Sequence, residues 1–182
     1  MKSVWIIILL LSATQPLLSF ELPKQVIESN EMVNRIDRLQ STLKLKEVEV
    51  YTGTDRGGSL RAYSDGQNLK KIELVVGLSN RDFHYIYYFS ESAVCCFVKK
   101  ESFFKWDEAS GKFNLEKFLV EKQTSYFYKG GKIFFVLATQ LKDEVETNES
   151  QEETQFITDL LKALFQGIES GHKKLDLEKF VK

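Results

Sequence analysis

The sequence has few of the residues that build disulfide frameworks, metal sites and catalytic centres. It contains two cysteines, which are adjacent (Cys95 and Cys96), and two histidines, His84 and His172. A zinc site needs three or four nitrogen, sulfur or oxygen ligands at close range, and a serine hydrolase needs a histidine positioned by a carboxylate. Neither pattern is recognisable. We therefore expect no metal, no cofactor and no enzymatic activity, and a hydrolase built from scattered acids and His84 is the alternative with least support.

The charge balance lacks an excess of either sign. The 25 basic and 26 acidic residues give a net charge of −1, which provides no electrostatic footprint for nucleic acid or an anionic membrane. The one strongly biased segment, residues 143–153, carries six acids and no base. Such blocks usually stay solvated, so we expect an acidic linker there. A calcium loop is the alternative, but the segment lacks the alternating carboxylates and central glycine of an EF-hand.

Proline is scarce and long apolar runs are absent except at the start of the chain. Met1 and Lys2 precede an apolar run over residues 4–11, and Ser19 is a small residue suited to cleavage. This order predicts a signal peptide over residues 1–19, since the run is shorter than the roughly 20 residues that span a bilayer. We expect residues 20–182 to form a single soluble domain, periplasmic or secreted, with no stable membrane insertion. An uncleaved anchor is the alternative.

Two segments show helical periodicity. Residues 22–44 begin with a proline in the first turn and carry an apolar stripe, and residues 151–169 follow a capping box formed by Ser150 and Glu153. Between them the period changes to two, and turn residues separate short strands. The predicted strands cover residues 46–52, 59–64, 68–76, 81–89, 93–99, 123–128 and 132–138. A Phe- and Trp-rich stretch, residues 101–120, is broken in two by Gly111.

An internal repeat organises the strands. Residues 87–98 and 126–137 align without gaps, aromatic on aromatic and turn on turn, and residues 62–72 are a looser third copy. Self-similarity at a fixed spacing predicts a β-meander of similar hairpins. In this alignment the two cysteines occupy the positions of Phe134 and Phe135, so we expect them to be buried on opposite faces of a strand. A redox pair or an intermolecular bridge is the alternative.

Strand 81–89 is apolar on both faces, so both faces must be covered. As a candidate binding surface we name Phe83, Tyr85 and Tyr87 on one face and His84 and Tyr88 on the other. Aromatic strand residues usually pack into a core, which is the alternative for all five positions.

The repeated hairpins resemble those of uncharacterised exported bacterial proteins, which carry Tyr-Tyr-Phe, a short Asp/Asn-Gly turn and then Lys-Leu. The matching residues are Tyr87-Tyr88-Phe89 with Val94, and Tyr126-Phe127-Tyr128 with Gly131-Lys132-Ile133, within residues 59–140. The first copy departs from the pattern because Ser90-Glu91-Ser92-Ala93 replaces the glycine turn. The resemblance implies an exported bacterial β-meander and transfers no site residue.

The predicted fold class is α+β: an N-terminal helix, an antiparallel β-meander of repeated hairpins, and a C-terminal helix packed on the sheet. A lipocalin-like barrel is the alternative, because a meander rich in aromatic residues could enclose a ligand. The predicted function is that of an exported, non-enzymatic binding or inhibitor-type module whose partner is a protein. The alternative is a carrier of a small apolar ligand in a pocket between sheet and helix.

Overall fold

The computed structural model describes residues 21–140, 143–146, 150–170 and 174–181. Helix α1 spans Lys24–Leu39 and runs into a 3-10 turn, Gln40–Thr42; helix α2 spans Gln151–Ser170, and a second 3-10 turn spans Glu178–Phe180. The strands are β1 (Lys44–Tyr51), β2 (Gly58–Ser64), β3 (Leu69–Gly77), β4 (Arg81–Ser90), β5 (Ala93–Asp107), β6 (Lys112–Lys129), β7 (Lys132–Gln140), β8 (Asp143–Glu146) and β9 (Leu175–Asp176).

All nine strands form one sheet in the order β8-β7-β6-β5-β4-β3-β2-β1-β9. Strands β1 to β8 are a continuous antiparallel meander, and β9 adds in parallel to the free edge of β1 through Val50 and Tyr51. Among the described residues, the strands at the two ends of this order, β8 and β9, do not pair with each other, so this sheet is open rather than a barrel. The predicted α+β fold is confirmed.

The two helices cover opposite faces of the sheet, as the two-sided apolar strands require. Helix α2 and the segment after it cover the larger core, where Leu160, Leu164 and Leu177 are fully buried against aromatic and β-branched strand residues. Helix α1 covers a smaller core through Val26 and Ile36. Both cores run along the middle strands, so β4, β5 and β6 contribute to each.

The two principal hairpins share their turn geometry. Glu91 and Ser92 have positive φ angles of 48° and 70°, and Gly130 and Gly131 at the equivalent positions have 58° and 78°. Left-handed conformations at both central residues are typical of the tight turns whose twist matches that of paired strands. The repeat seen in the sequence is therefore a repeat in structure, even where the first copy lacks glycine.

The hairpins also share an extra residue, and this corrects the expectation for the cysteines. Tyr88 pairs with Cys96 and Phe89 with Val94, so Cys95 is an extra bulge residue with no residue of β4 opposite it. Because the bulge interrupts the alternation of side chains, both cysteines lie in the core under α1 rather than on opposite faces. Both are free and buried, and burial raises the pKa of the Cys95 thiol to about 11.

The same bulge recurs in the other copies. Phe134 is the extra residue between the β6 and β7 pairings, and Lys70 is the extra residue between the β2 and β3 pairings. A bulge bends its strand and increases the local twist. The three hairpins of similar sequence therefore share the same irregularity in their pairing near the turn.

Three elements differ from the sequence expectations. Helix α1 ends at Leu39, because the chain pairs with β2 from Lys44 onward and has to become extended before that point. Part of the predicted acidic linker, Asp143–Glu146, forms strand β8 on the outer edge of β7. The stretch 101–120 forms the end of β5, the turn at 108–111 and the start of β6, so both strands are far longer than predicted.

Candidate functional site

Three of the five predicted binding residues lie beneath α2. Phe83, Tyr85 and Tyr87 are each at most 9% exposed. The hydroxyl of Tyr87 donates a hydrogen bond to the carbonyl oxygen of Ile157 at 2.8 Å, and its ring packs 4.5 Å from the ring of Phe97. Tyr85 and Tyr87 contact α2, and Phe83 belongs to the same core, so these side chains would reach a partner only if that core were opened.

The other two predicted residues, His84 and Tyr88, lie on the opposite face. Tyr88 is buried under α1, and its hydroxyl donates to the carboxylate of Asp37 at 3.0 Å. His84 is partly exposed between Val75 of β3 and Lys100 of β5. The strand therefore separates the five residues into two groups, and His84 is the one that solvent reaches.

A buried lysine joins α1 to the sheet. Lys71, whose side chain is 6% exposed, donates to Asp37 at 3.0 Å and to the side-chain oxygen of Gln40 at 2.9 Å. Its ammonium group also lies 5.5 Å from the ring centre of Tyr88. Burial and the neighbouring Asp37 carboxylate raise the pKa of Tyr88 far above its ordinary value. Because the ammonium group is committed to these partners, the cluster anchors the helix rather than presenting a reactive amine.

The largest uncovered feature is a projection of two strands. Pairing of β4 with β5 ends at Phe103, and pairing of β7 with β6 begins at Lys122. Residues 104–121, here called the hairpin arm, extend past both neighbouring strands. In the sheet, Phe104 to Asp107 pair only with residues 112–118 of the arm, and Val120 and Glu121 pair with Phe103 and Ser102 at its base. The arm closes at a turn in which Asp107 accepts hydrogen bonds from Ala109 and Ser110.

The arm is firmly attached at its base. The backbone N–H of Phe104 donates to the carbonyl oxygen of Asn80 at 2.9 Å. The guanidinium group of Arg56 lies 4.8 Å from the ring centre of Phe104 and forms an ion pair with Asp82 at 2.7 Å. These contacts from two separate loops fix the direction in which the arm leaves the sheet.

The arm carries much of the exposed apolar surface of the molecule. Eight large apolar side chains are exposed among the described residues, and four of them belong to the arm: Trp106, Leu115, Phe118 and Leu119. Leu119 is the most exposed, at 65%. The ring of Trp106 packs edge-to-face against Phe113 at 4.9 Å, so the arm has an ordered aromatic surface. Exposed apolar side chains concentrated on one projection make the arm a candidate interaction surface.

The pairing of β6 with β5 is interrupted at two places in the arm, and exposed apolar residues lie at both. Val120 pairs with Phe103 and Phe118 pairs with Phe104, which leaves Leu119 without a partner on β5. Residues 115–117 form a larger excursion between Phe118 and Asn114. Sequence reasoning missed this surface, although residues 101–120 held the signal: they were aromatic, and no further helix was predicted that could cover them.

A groove lies between α1 and the turns of two hairpins. Its volume is about 1100 Å³. The floor is apolar, formed by Met32, Ile36, Leu39, Leu43 and Phe89. The rim carries both signs of charge, including Arg35 and Arg38 of α1 and Glu91 of the β4–β5 turn. This is a pocket between helix and sheet of the kind that a small-ligand carrier requires.

Clusters of metal-ligating side chains and membrane-spanning helices were sought in the described part of the chain. There, no three side chains of His, Cys, Asp or Glu are grouped so that they could hold a metal ion. No helix in the described ranges is long and apolar enough to cross a membrane. His172 lies outside the described residues.

No protein-family model matches the chain, and no curated protein or solved structure matches it. Function therefore has to be inferred from the arm and the groove themselves.

Proposed function

We propose that the chain is an exported, non-enzymatic binding module that captures a protein partner through the hairpin arm. The observation that carries this proposal is the exposure of Trp106, Phe118 and Leu119 on a projection that neither helix covers. Aromatic side chains are enriched at protein interfaces, and burying them against a partner removes apolar surface from water. Export rests on the signal-peptide pattern of residues 1–19.

The fixed base of the arm supports this role. An ordered arm loses little conformational entropy on binding, so more of the contact energy is available for affinity. Arg56 and Asn80 hold Phe104 in place, and the paired rings of Trp106 and Phe113 stiffen the outer part. A projecting, rigid, apolar arm suits insertion into a cleft of the partner, which is the geometry of an inhibitor-type contact.

The test is photo-crosslinking in the exporting host. A photoreactive residue at Leu119 should capture a defined partner, and the same residue at Leu45, exposed by 47% on β1, should not. Phe118→Ser combined with Trp106→Ser should abolish capture from Leu119 without changing the circular dichroism spectrum. Equal capture from both positions, or capture that survives the double substitution, would count against the proposal.

The groove favours a second candidate function, that of a small-ligand carrier. Its apolar floor and volume of about 1100 Å³ are suited to a small apolar ligand. Native mass spectrometry of gently purified protein should then show a bound small molecule. Leu43→Arg, which places a charge on the groove floor, should remove that mass, whereas Leu119→Arg should not. A bare mass for the unaltered protein would exclude the carrier.

A further inference from the structure

We propose that helix α1 is a hinged cover, which opens from the sheet as a unit while the rest of the fold stays intact and thereby exposes Cys96 and the aromatic side chains around it. The hinge is the 3-10 turn Gln40–Thr42, which joins the helix to β1. This inference concerns the face of the sheet opposite to α2, so it goes beyond the proposed function and does not depend on the hairpin arm.

The two cores of the protein differ in how much each receives from its helix. Helix α1 buries only Val26 and Ile36 in the smaller core, and its Met32 and Val33 remain partly exposed. Helix α2 and the segment after it bury a larger set of apolar side chains in the larger core: Ile157, Leu160, Leu164, Leu177 and Phe180. No side chain belongs to both cores. The smaller core can therefore open locally while the packing under α2 is kept.

Polar contacts tie α1 to the sheet at one end only. The carboxylate of Asp37 accepts hydrogen bonds from Lys71 and from Tyr88, and the side chain of Gln40, just beyond the helix, accepts one from the same lysine. We call these four residues the latch. In the described part of the chain, the polar side-chain contacts of residues 24–36 stay within the helix. The helix is thus held at its hinge end by the latch and elsewhere by apolar contacts alone.

Opening the latch does not leave a buried charge without a partner. The side chain of Asp37 is already 43% exposed in the closed structure. Glu73 lies 3.8 Å from the ammonium group of Lys71, and both residues belong to β3, so they stay together when the helix leaves. Water then takes the places of Asp37 and Gln40. The penalty that makes most buried ion pairs costly to break is therefore reduced at this site.

Open space borders the helix along one side. The groove of about 1100 Å³ runs between α1 and the turns of the hairpins, and Met32, Ile36 and Leu39 contribute to its lining. Ile36, one of the two buried side chains of the helix, therefore has the groove on one side and the smaller core on the other. A helix that borders a groove gives up fewer contacts on moving than one that is packed on every side.

Cys96 is a built-in reporter of this opening. It is 1% exposed and belongs to the same core as Val26 and Ile36. Burial raises the pKa of its thiol, and a buried, protonated thiol is inert. The variant Cys95→Ala leaves Cys96 as the one thiol of the chain. In that variant, labelling by methyl methanethiosulfonate, followed by mass spectrometry, measures how often the smaller core opens.

Two further substitutions, each made in the Cys95→Ala variant, separate opening of α1 from unfolding of the whole protein. Asp37→Ala removes the carboxylate of the latch and should speed the labelling of Cys96 roughly tenfold. Ile157→Val trims a buried side chain of α2 and should raise the global unfolding constant roughly fivefold. It should leave the labelling rate unchanged, because Ile157 lies in the other core. Labelling should also depend on urea more weakly than global unfolding does, since less surface is exposed.

Labelling that Ile157→Val accelerates by the same factor as the global unfolding constant would overturn the inference, because Cys96 would then be reached only through complete unfolding. A labelling rate that Asp37→Ala leaves unchanged would overturn it as well. Gln40→Ala is a milder change in the latch that should accelerate labelling in the same direction. It keeps the test decisive if Asp37→Ala does not fold, as judged by its circular dichroism spectrum.

Discussion

Strands β5 and β6 each have a covered half and an uncovered half, and the two halves differ in surroundings more than in composition. In the covered half, Phe97, Tyr126 and Phe127 are at most 1% exposed between the two helices. In the arm, Phe118 and Leu119 are more than half exposed. Residues of the same kind thus stabilise the fold in one half and remain available for binding in the other. What decides is whether another element lies across the strand: a helix in the covered half, and only Arg56 over Phe104 at the base of the arm.

The largest effect that would test this comparison is expected in the covered half. Phe97 contacts the rings of Tyr85, Tyr87 and Tyr126 and is fully buried. Phe97→Ala should lower the free energy of unfolding by about 3 to 5 kcal/mol, because it removes buried apolar area and leaves a cavity. Urea unfolding followed by circular dichroism measures this loss. A change below about 1 kcal/mol would mean that the two halves do not differ as described.

A smaller loss is expected where α1 joins the covered half. Asp37→Ala removes the nearer carboxylate partner of Lys71, leaving only Glu73 at 3.8 Å, and removes the acceptor of Tyr88, so it should cost about 1 to 3 kcal/mol. The Asp37 side chain is 43% exposed, and solvent screening keeps the cost below that of a fully buried pair. Lys71→Met keeps the shape and should cost less. Equal losses in urea unfolding would show that the charge of Lys71 is not what holds α1.

The buried tyrosines of the covered half predict a loss of stability in alkaline solution. Burial raises the pKa values of Tyr85, Tyr87 and Tyr88 well above 10.0, the ordinary value. Above pH 10 the unfolded chain releases these protons while the folded chain keeps them, so stability is complete below pH 10 and falls as the pH rises. Each tyrosine contributes a slope of about 1.4 kcal/mol per pH unit. Tyr87→Phe should reduce the slope of the unfolding free energy against pH, measured between pH 9 and pH 11. An unchanged slope would contradict the raised pKa of Tyr87.

The smallest effect is expected in the arm. Phe118 contributes mainly its ring contact with Phe104, at 5.3 Å between ring centres, so Phe118→Ala should cost about 1 kcal/mol or less. The same urea measurement that is used for Phe97 provides the comparison. A loss as large as that of Phe97→Ala would show that the arm is part of the folding core, and would weaken its assignment as a binding surface.

The sequence predicted those parts of the fold that depend on local patterns. The stripe containing Val26 and Ile36, the capping box at Ser150 and the repeated hairpins each depend on residues close together in the chain. The bulge at Cys95 was missed because a bulge depends on the register of the partner strand. The arm was missed for a related reason: the exposure of Leu119 follows from where β4 and β7 end, which no periodicity within β6 can show.

Strand β9 is the last strand to be synthesised, yet it pairs with the first, β1. The meander consists of neighbouring hairpins and can form while the chain is being made, because each strand pairs with the one just before it. The outer edge of β1, by contrast, stays open until Leu175 and Asp176 arrive, far along the chain. During that interval the nascent chain presents an unpaired edge at its first strand. There is therefore an interval during synthesis in which a chaperone would be most useful at β1.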